Sequence, residues 1–224
     1  IYVGEWQNEK KHGQGAYFFS NGAKNIGTWE NDNLNGYAIT YFSDGSINKK
    51  GIFKENNFLI SGTIPECIGQ YDNTKWLNCT GTYKTTDGDT YVGRFKNGKY
   101  DGHGTYTFGV NTKWYGHKYI GDYKNNNRDG QGIYFYANGD KYIGEFKNNR
   151  FNGKGTFIYG LNTKNAGYKY IGEFKNGKRN GQGIMTYPDG QIYQGSWSND
   201  EREGQGILTF LSGSKWEGQW DDNK

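Results

Sequence analysis

Ring-bearing and polar residues alternate along most of this chain with a period of two. In YVGEW (Tyr2–Trp6), and again in YIGEF (Tyr170–Phe174), a ring, a glycine and a second ring share one face while the residues between them point the other way. That period is the signature of a β-strand with two distinct faces. A second kind of segment follows: in GQGIMTY, Gly181, Gly183, Met185 and Tyr187 share a face opposed by Gln182, Ile184 and Thr186. Gly/Asn/Asp clusters separate strands, as in SNGA from Ser20, ANGD from Ala137, PDGQ from Pro188 and LSGS from Leu211, and these are hairpin-turn signals. The other connection is a polar stretch such as KNGKRN from Lys175. The pattern predicts an all-β chain of serial antiparallel hairpins.

The hairpin is a repeat. Tyr-x-Gly steps open it at Tyr2, Tyr91, Tyr119, Tyr142, Tyr170 and Tyr193, and WEGQW from Trp216 closes the chain. A Gly-x-Gly begins nine residues after the glycine of each step, from Gly13/Gly15 to Gly204/Gly206. Units measure 23 residues, or 28 where an insertion intervenes, at Gly109–Lys118 and Gly160–Lys169. Gly93, Gly144 and Gly195 lie 51 apart, so a double unit has been copied. The N-terminal third is degenerate: Asn25 stands in a tyrosine position, Ala38 and Cys79 in glycine positions, and the unit around Gly51 has lost most of its pattern. Degenerate repeats over 1–62, an irregular cysteine-containing repeat over 63–90 and regular repeats over 91–224 are expected to form one continuous domain, an elongated, twisted, single-layer antiparallel sheet.

Composition says what fills the core. The 224 residues include 37 Gly, 20 Tyr, 13 Phe and 7 Trp but only 2 Pro. Collagen needs glycine at every third position and abundant proline, and disorder needs high net charge and few rings, whereas this chain carries +4. No apolar run approaches the roughly 18 residues that span a bilayer. Rings laid over bare glycines, where no Cβ blocks them, are the expected substitute for an aliphatic core. The first residue is Ile1, so an N-terminal piece, with any signal peptide, is expected to precede it.

The Y-x-G-x-[WFY]…G-x-G-x-[YF] unit resembles the MORN repeat (membrane occupation and recognition nexus) over nearly the whole chain, most closely from Tyr91 onward. The resemblance implies serial hairpins with stacked aromatics in a groove. Such arrays occur as membrane-associated scaffolds, as dimerising structural proteins, and as appendages to lipid kinases and SET-domain methyltransferases; no kinase or SET motif follows here.

Candidate chemistry lies mostly where the pattern breaks. Cys67 and Cys79 predict a disulfide that staples the most degenerate stretch, worth about 3 kcal/mol by the chain-entropy model. It would place the protein in an oxidising compartment, periplasmic or extracellular; the alternative is two reduced thiols in a cytoplasmic or membrane-peripheral protein. With no third Cys and no His beside them, no metal or cofactor is expected. His12 and His103 occupy interchangeable repeat positions and His117 lies in an insertion, so no catalytic residue is assigned. NNNRDG and NDNLNG mimic the start of a calcium loop but have Tyr136 and Phe42 where its final Glu belongs. Each Gly-x-Gly leads into a strand rather than a helix, so it is no nucleotide fingerprint. Asn78-Cys79-Thr80 fits a glycosylation sequon whose middle residue is committed to the disulfide.

Three surfaces remain. The first is an aromatic groove of Tyr2, Trp6, Tyr91, Phe95, Tyr119, Tyr123, Tyr142, Phe146, Tyr170, Phe174, Tyr193 and Trp197, unless these rings merely pack on one another. The second is formed by connections sharing an NTK sequence, at Asn73, Asn111 and Asn162, with Trp76, Trp114, Tyr115 and Tyr168 close by. The third is a basic stripe, Lys96, Lys124, Lys147, Lys175, Arg128 and Arg150, facing anionic lipid or, with Glu145, Glu173, Asp101, Asp122 and Asp129 among it, simply a solvated face. A non-catalytic scaffold binding a protein, a glycan or itself through groove and loops is the leading expectation. The alternatives are a peripheral membrane protein and the targeting part of a larger enzyme. A net +4 is thin for nucleic acid, and no small-molecule substrate is expected.

Overall fold

The computed structural model describes residues 1–59, 64 and 66–223, in two compact units, Ile1–Ile64 and Pro65–Lys224. The expected boundary between residues 62 and 63 lies outside the described residues. Unit 1 holds a six-stranded sheet: β1 (Tyr2–Gln7), β2 (Lys10–Phe18), β3 (Lys24–Glu30), β4 (Asn33–Tyr41), β5 (Ile47–Lys54) and β6 (Asn57–Leu59). Unit 2 holds twelve strands: β7 (Asn78–Lys84), β8 (Thr90–Lys96), β9 (Lys99–Thr107), β10 (Lys118–Lys124), β11 (Asn127–Phe135), β12 (Lys141–Lys147), β13 (Arg150–Ile158), β14 (Lys169–Lys175), β15 (Lys178–Thr186), β16 (Ile192–Ser198), β17 (Glu201–Thr209) and β18 (Lys215–Trp220). Each strand pairs antiparallel with its sequence neighbours, so the serial hairpins are present, divided between two sheets. The described part of the intervening segment carries no Tyr-x-Gly unit to continue the ladder.

The polar stretches turn out to be the tightest turns. Asn97–Gly98, Asn125–Asn126 and Asn148–Asn149 all have positive φ (50° and 66°, 49° and 69°, 48° and 68°), the two-residue type I′ geometry that suits twisted hairpins. The strands therefore run on to within two residues of each other, and asparagine is abundant because it tolerates the left-handed region. Apart from the two long insertions, the alternate turns are three-residue loops, as where the Tyr136 N–H donates to the Asp140 carbonyl at 3.0 Å, with Gly139 at φ 90°.

The core of unit 2 is a zigzag of rings. Tyr142 meets Phe146 and Phe174 edge-to-face, with centroids 5.2 and 5.1 Å apart, and the same steps run from Tyr91 and Phe95 through to Tyr193 and Trp220. Edge-to-face pairs contribute about 0.5–1.5 kcal/mol each beyond area burial. The two glycines of each Gly-x-Gly have different tasks. Gly153 sits beside the bulge at φ 63°, while a Cβ on Gly155 would lie 2.5 Å from the Tyr142 hydroxyl. Gly155 is thus the place where the Tyr142 ring rests, and the hydroxyl reaches past it to donate to the Glu145 carbonyl at 2.9 Å. Tyr91, Tyr119, Tyr170 and Tyr193 repeat that bond three residues ahead.

Unit 1 keeps the hairpins and loses the zigzag. Its buried cluster is Trp29, Leu34, Ala38 and Phe53, with Tyr2, Tyr17 and Phe58 against it. Asn25, Thr40 and Lys49 pair across β3, β4 and β5 in the row that in unit 2 reads Tyr119, Tyr134 and Tyr142.

Candidate interaction surfaces

The rings expected to line a groove are instead the interior. Tyr91, Phe95, Tyr119, Tyr123, Tyr142, Phe146, Tyr170, Phe174, Tyr193 and Trp197 are all buried. They are corrected from contact surface to core, because each ring is covered by its neighbours and by the glycines beneath it. Burial pushes the Tyr119, Tyr123, Tyr142 and Tyr170 hydroxyls well above their ordinary value near 10. Tyr2 is half-buried, and only Trp6, 59% exposed on the edge strand β1, presents an open ring.

One position on the ring face was missed. In unit 2, the side chain two residues before each Gly-x-Gly lies over a ring of the core. Tyr100 stacks on Tyr91 (3.8 Å, 14°) and Phe151 on Tyr142 (3.7 Å, 15°). In the other units an arginine takes the place: Arg128 over Tyr134 at 4.9 Å, Arg179 over Trp197 at 4.4 Å and Arg202 over Trp220 at 4.0 Å. A guanidinium takes the place of a ring there, its charge over a π-face.

The same position anchors the next unit. The Arg128 N–H donates to Asn149 Oδ1 at 2.8 Å, and the Asn149 N–H returns to the Arg128 carbonyl at 3.0 Å. Asn126 with Tyr100, Asp200 with Arg179 and Asn223 with Arg202 repeat both bonds. Unit 1 retains them in Asp32 with Lys11 and Asn56 with Leu34. The signal for this ladder was the recurrent Asn/Asp pair in the very segments that mimic calcium loops.

These contacts thin the basic stripe. Arg128 is stacked and hydrogen-bonded, so it is corrected from lipid contact to structural residue, and Lys147 reaches Asp129 at 3.4 Å. Lys96, Lys124, Lys175 and Arg150 are exposed. Among the described residues, one acidic trio, Glu203, Asp221 and Asp222, brings carboxylate oxygens within 4.8 Å of one another, exposed as many surface carboxylates are.

Cys67 and Cys79 are joined, as expected. The loop they close caps the first strand of the second sheet: the Cys67 N–H donates to the Thr80 carbonyl, and the Tyr71 hydroxyl to the Gly98 carbonyl. Trp76 is buried against Phe95, centroids 4.7 Å apart, and lies where a Cβ on Gly81 would fall. It is corrected from loop contact to core, standing in for the ring of a missing strand. The Asn73 NTK is accordingly unlike the other two: Thr74 donates to Asp72, whose carboxyl those bonds hold down at about 2.

The two long insertions share one fold. The Gly109 and Gly160 N–H groups each donate to an aspartate, Asp89 and Asp140, at 2.7 Å, and successive turns follow at Thr112 and Thr163. They expose Trp114 (46%), Tyr115 (61%) and Leu161 (86%), while Tyr168 is partly buried against the core. His117 lies under the first insertion with Nδ1 2.9 Å from the Tyr134 hydroxyl, and burial lowers its pKa below 6.5.

Serial hairpins, a ring-on-glycine core and a turn-to-strand ladder define a β-repeat interaction array. The MORN repeat profile matches residues 2–24, 26–47, 91–113, 119–141, 142–160, 170–192 and 193–215, and the chain belongs to the MORN repeat family. No curated protein matches the sequence. Among solved structures, the SAS-4 (dCPAP) TCP domain of Drosophila melanogaster, in complex with a proline-rich motif of Ana2 (dSTIL), is similar at 14% identity and TM-score 0.39, over 92% of this chain and 90% of that one. Virginiamycin B lyase from Staphylococcus aureus is similar at 12% identity and TM-score 0.18, over 93% and 70%. Likeness at that level carries no functional argument.

Proposed function

We propose that the chain is a non-catalytic scaffold that binds a protein partner or a second copy of itself through its insertion loops. The observation that supports this is the exposed side chains of two loops that share one fold and one anchoring aspartate, against a core whose rings are not available. Trp114 and Tyr115 offer large, rigid contact area at low entropic cost, as hot-spot residues do. The Cys67–Cys79 disulfide supports work in an oxidising compartment. The lipid-binding alternative rests on fewer free cations than the sequence suggests.

Chemical cross-linking in extracts of the native source, with the intact chain and Trp114→Ser/Tyr115→Ser, tests the reading. The wild-type chain should give a discrete cross-linked partner or self-complex that the double variant loses at an unchanged melting temperature. Equal cross-linking by both chains would overturn the loop assignment. Co-sedimentation with anionic vesicles that weakens steeply with salt would favour the lipid reading instead.

A further inference from the structure

We infer that unit 1 carries a binding site for a carboxylate-bearing saccharide, in a groove left where three successive rings of the core row are missing. In unit 2 the row reads Tyr106, Tyr119, Tyr134 and Tyr142 across neighbouring strands. In unit 1 it reads Tyr17, Asn25, Thr40 and Lys49, so an amide, a hydroxyl and an ammonium replace three rings. The space they vacate is a groove of about 700 Å³ between aromatic walls that include Trp29 and Phe53. That is the size of small-ligand sites.

Ordinary repeat decay does not account for the chemistry. Loss of a ring to a smaller apolar residue would leave an apolar gap, whereas these three substitutions put hydrogen-bonding groups in the groove. Thr40 is buried, Asn25 partly buried and Lys49 exposed, so a ligand in the groove would meet one buried and two accessible polar groups. Among the described residues the Asn25 amide has no hydrogen-bond partner, and Thr40 Oγ1 accepts the Lys49 N–H at 3.1 Å, which leaves its own proton to donate. Two ammonium groups line the groove: Lys11, whose Nζ already lies 3.6 Å from Asp32 Oδ1, and the exposed Lys49, with no Asp or Glu among the groove's lining residues.

The combination selects the ligand class. A neutral sugar would leave the Lys49 ammonium without a counter-charge, and an apolar ligand would strand Asn25 and Thr40 as well. A small inorganic anion would use the lysines and nothing else. A uronic-acid saccharide supplies a carboxylate for Lys49, hydroxyls for Asn25 and Thr40, and C–H faces for the rings. This site belongs to unit 1 and does not depend on the insertion loops of unit 2 having a partner.

Isothermal titration of the full chain with hexagalacturonate, maltohexaose and inorganic phosphate tests it. We expect saturable binding of hexagalacturonate alone, with Kd below about 1 mM, weakened about tenfold in Lys49→Gln, the loss of one charge-assisted contact. Asn25→Tyr restores the ring of the regular units, so it should abolish binding while the melting temperature holds or rises. Thr40→Val, a smaller change, should weaken binding if Asn25→Tyr does not fold. No binding of hexagalacturonate, or equal binding by wild type, Lys49→Gln and Thr40→Val, would overturn the inference. Equal affinity for phosphate or for maltohexaose would do so too.

Discussion

The two units share a backbone plan and differ in what they lay on it. Both are antiparallel ladders of tight hairpins, and both dock turns on the preceding unit through an Asn or Asp that accepts a strand N–H: Asn149 on Arg128 in one, Asp32 on Lys11 in the other. Only unit 2 carries the continuous zigzag of rings over glycines. In unit 1, Asn25 and Ala38 replace a ring and its glycine, and the row opens into a groove. The backbone ladder is therefore enough to specify the hairpin array, while the rings decide how firmly it is held and whether there is room for anything else.

The largest contrast should appear in alkali. The buried Tyr119, Tyr123, Tyr134, Tyr142, Tyr170 and Tyr193 of unit 2 have folded pKa values raised, chiefly by burial, above the unfolded value near 10, so the unfolded chain loses protons first. Their stabilising contribution is whole below pH 10 and lost as pH rises above it. With several such groups in one sheet, tyrosinate absorbance and loss of β circular dichroism should rise together above pH 10. Full ionisation with the sheet intact would contradict the burial. Next, Tyr170→Ala should cost about 3–5 kcal/mol in chemical denaturation, against a change within about 0.5 kcal/mol for Asn25→Ala at the equivalent place in unit 1. Similar losses at both positions would erase the contrast.

Removing the disulfide with Cys67→Ser/Cys79→Ser should lower the stability of unit 2 by about 3 kcal/mol, read from its denaturation midpoint. An unchanged midpoint would mean that Trp76 and Tyr71 hold the cap without it. Gly183→Ala places a methyl 2.3 Å from the Tyr170 hydroxyl, an overpacking worth about 1–3 kcal/mol. Ala38 already carries a methyl at the matching register position, and Ala38→Gly should cost only about 0.5–1 kcal/mol. Asn149→Ala should cost about 0.5–1.5 kcal/mol for one lost turn-to-strand bond.

Most of the fold was legible because a 23-residue period fixes both strand alternation and turn placement, and the cysteine pair marked the cap. What could not be read was which side of the ring face is covered. A Tyr-x-Gly-x-Phe segment looks the same whether its rings meet a partner or one another, and only the seating of Tyr142 on Gly155 decides it. The dual use of Arg128, Arg179 and Arg202 was hidden for a related reason: periodicity counts an arginine as polar, yet here it packs as a plate. Trp76 looks like a loop residue because it follows an NTK sequence, yet it packs on Phe95 at the edge strand β7, beyond which the described residues add no further strand to that sheet. The polar stretches were read as long connections because Asn and Asp signal both loops and left-handed turns, and spacing alone does not say which.

Native-state hydrogen exchange on the intact chain tests the central claim most directly, by comparing β14–β15, where the ring row is complete, with β3–β4, where it is broken. If rings over glycines are the source of stability, the central amides of β14–β15 should exchange at least about tenfold more slowly than those of β3–β4. Equal protection in the two hairpins would show that the backbone ladder alone holds the array and that the rings add nothing to it.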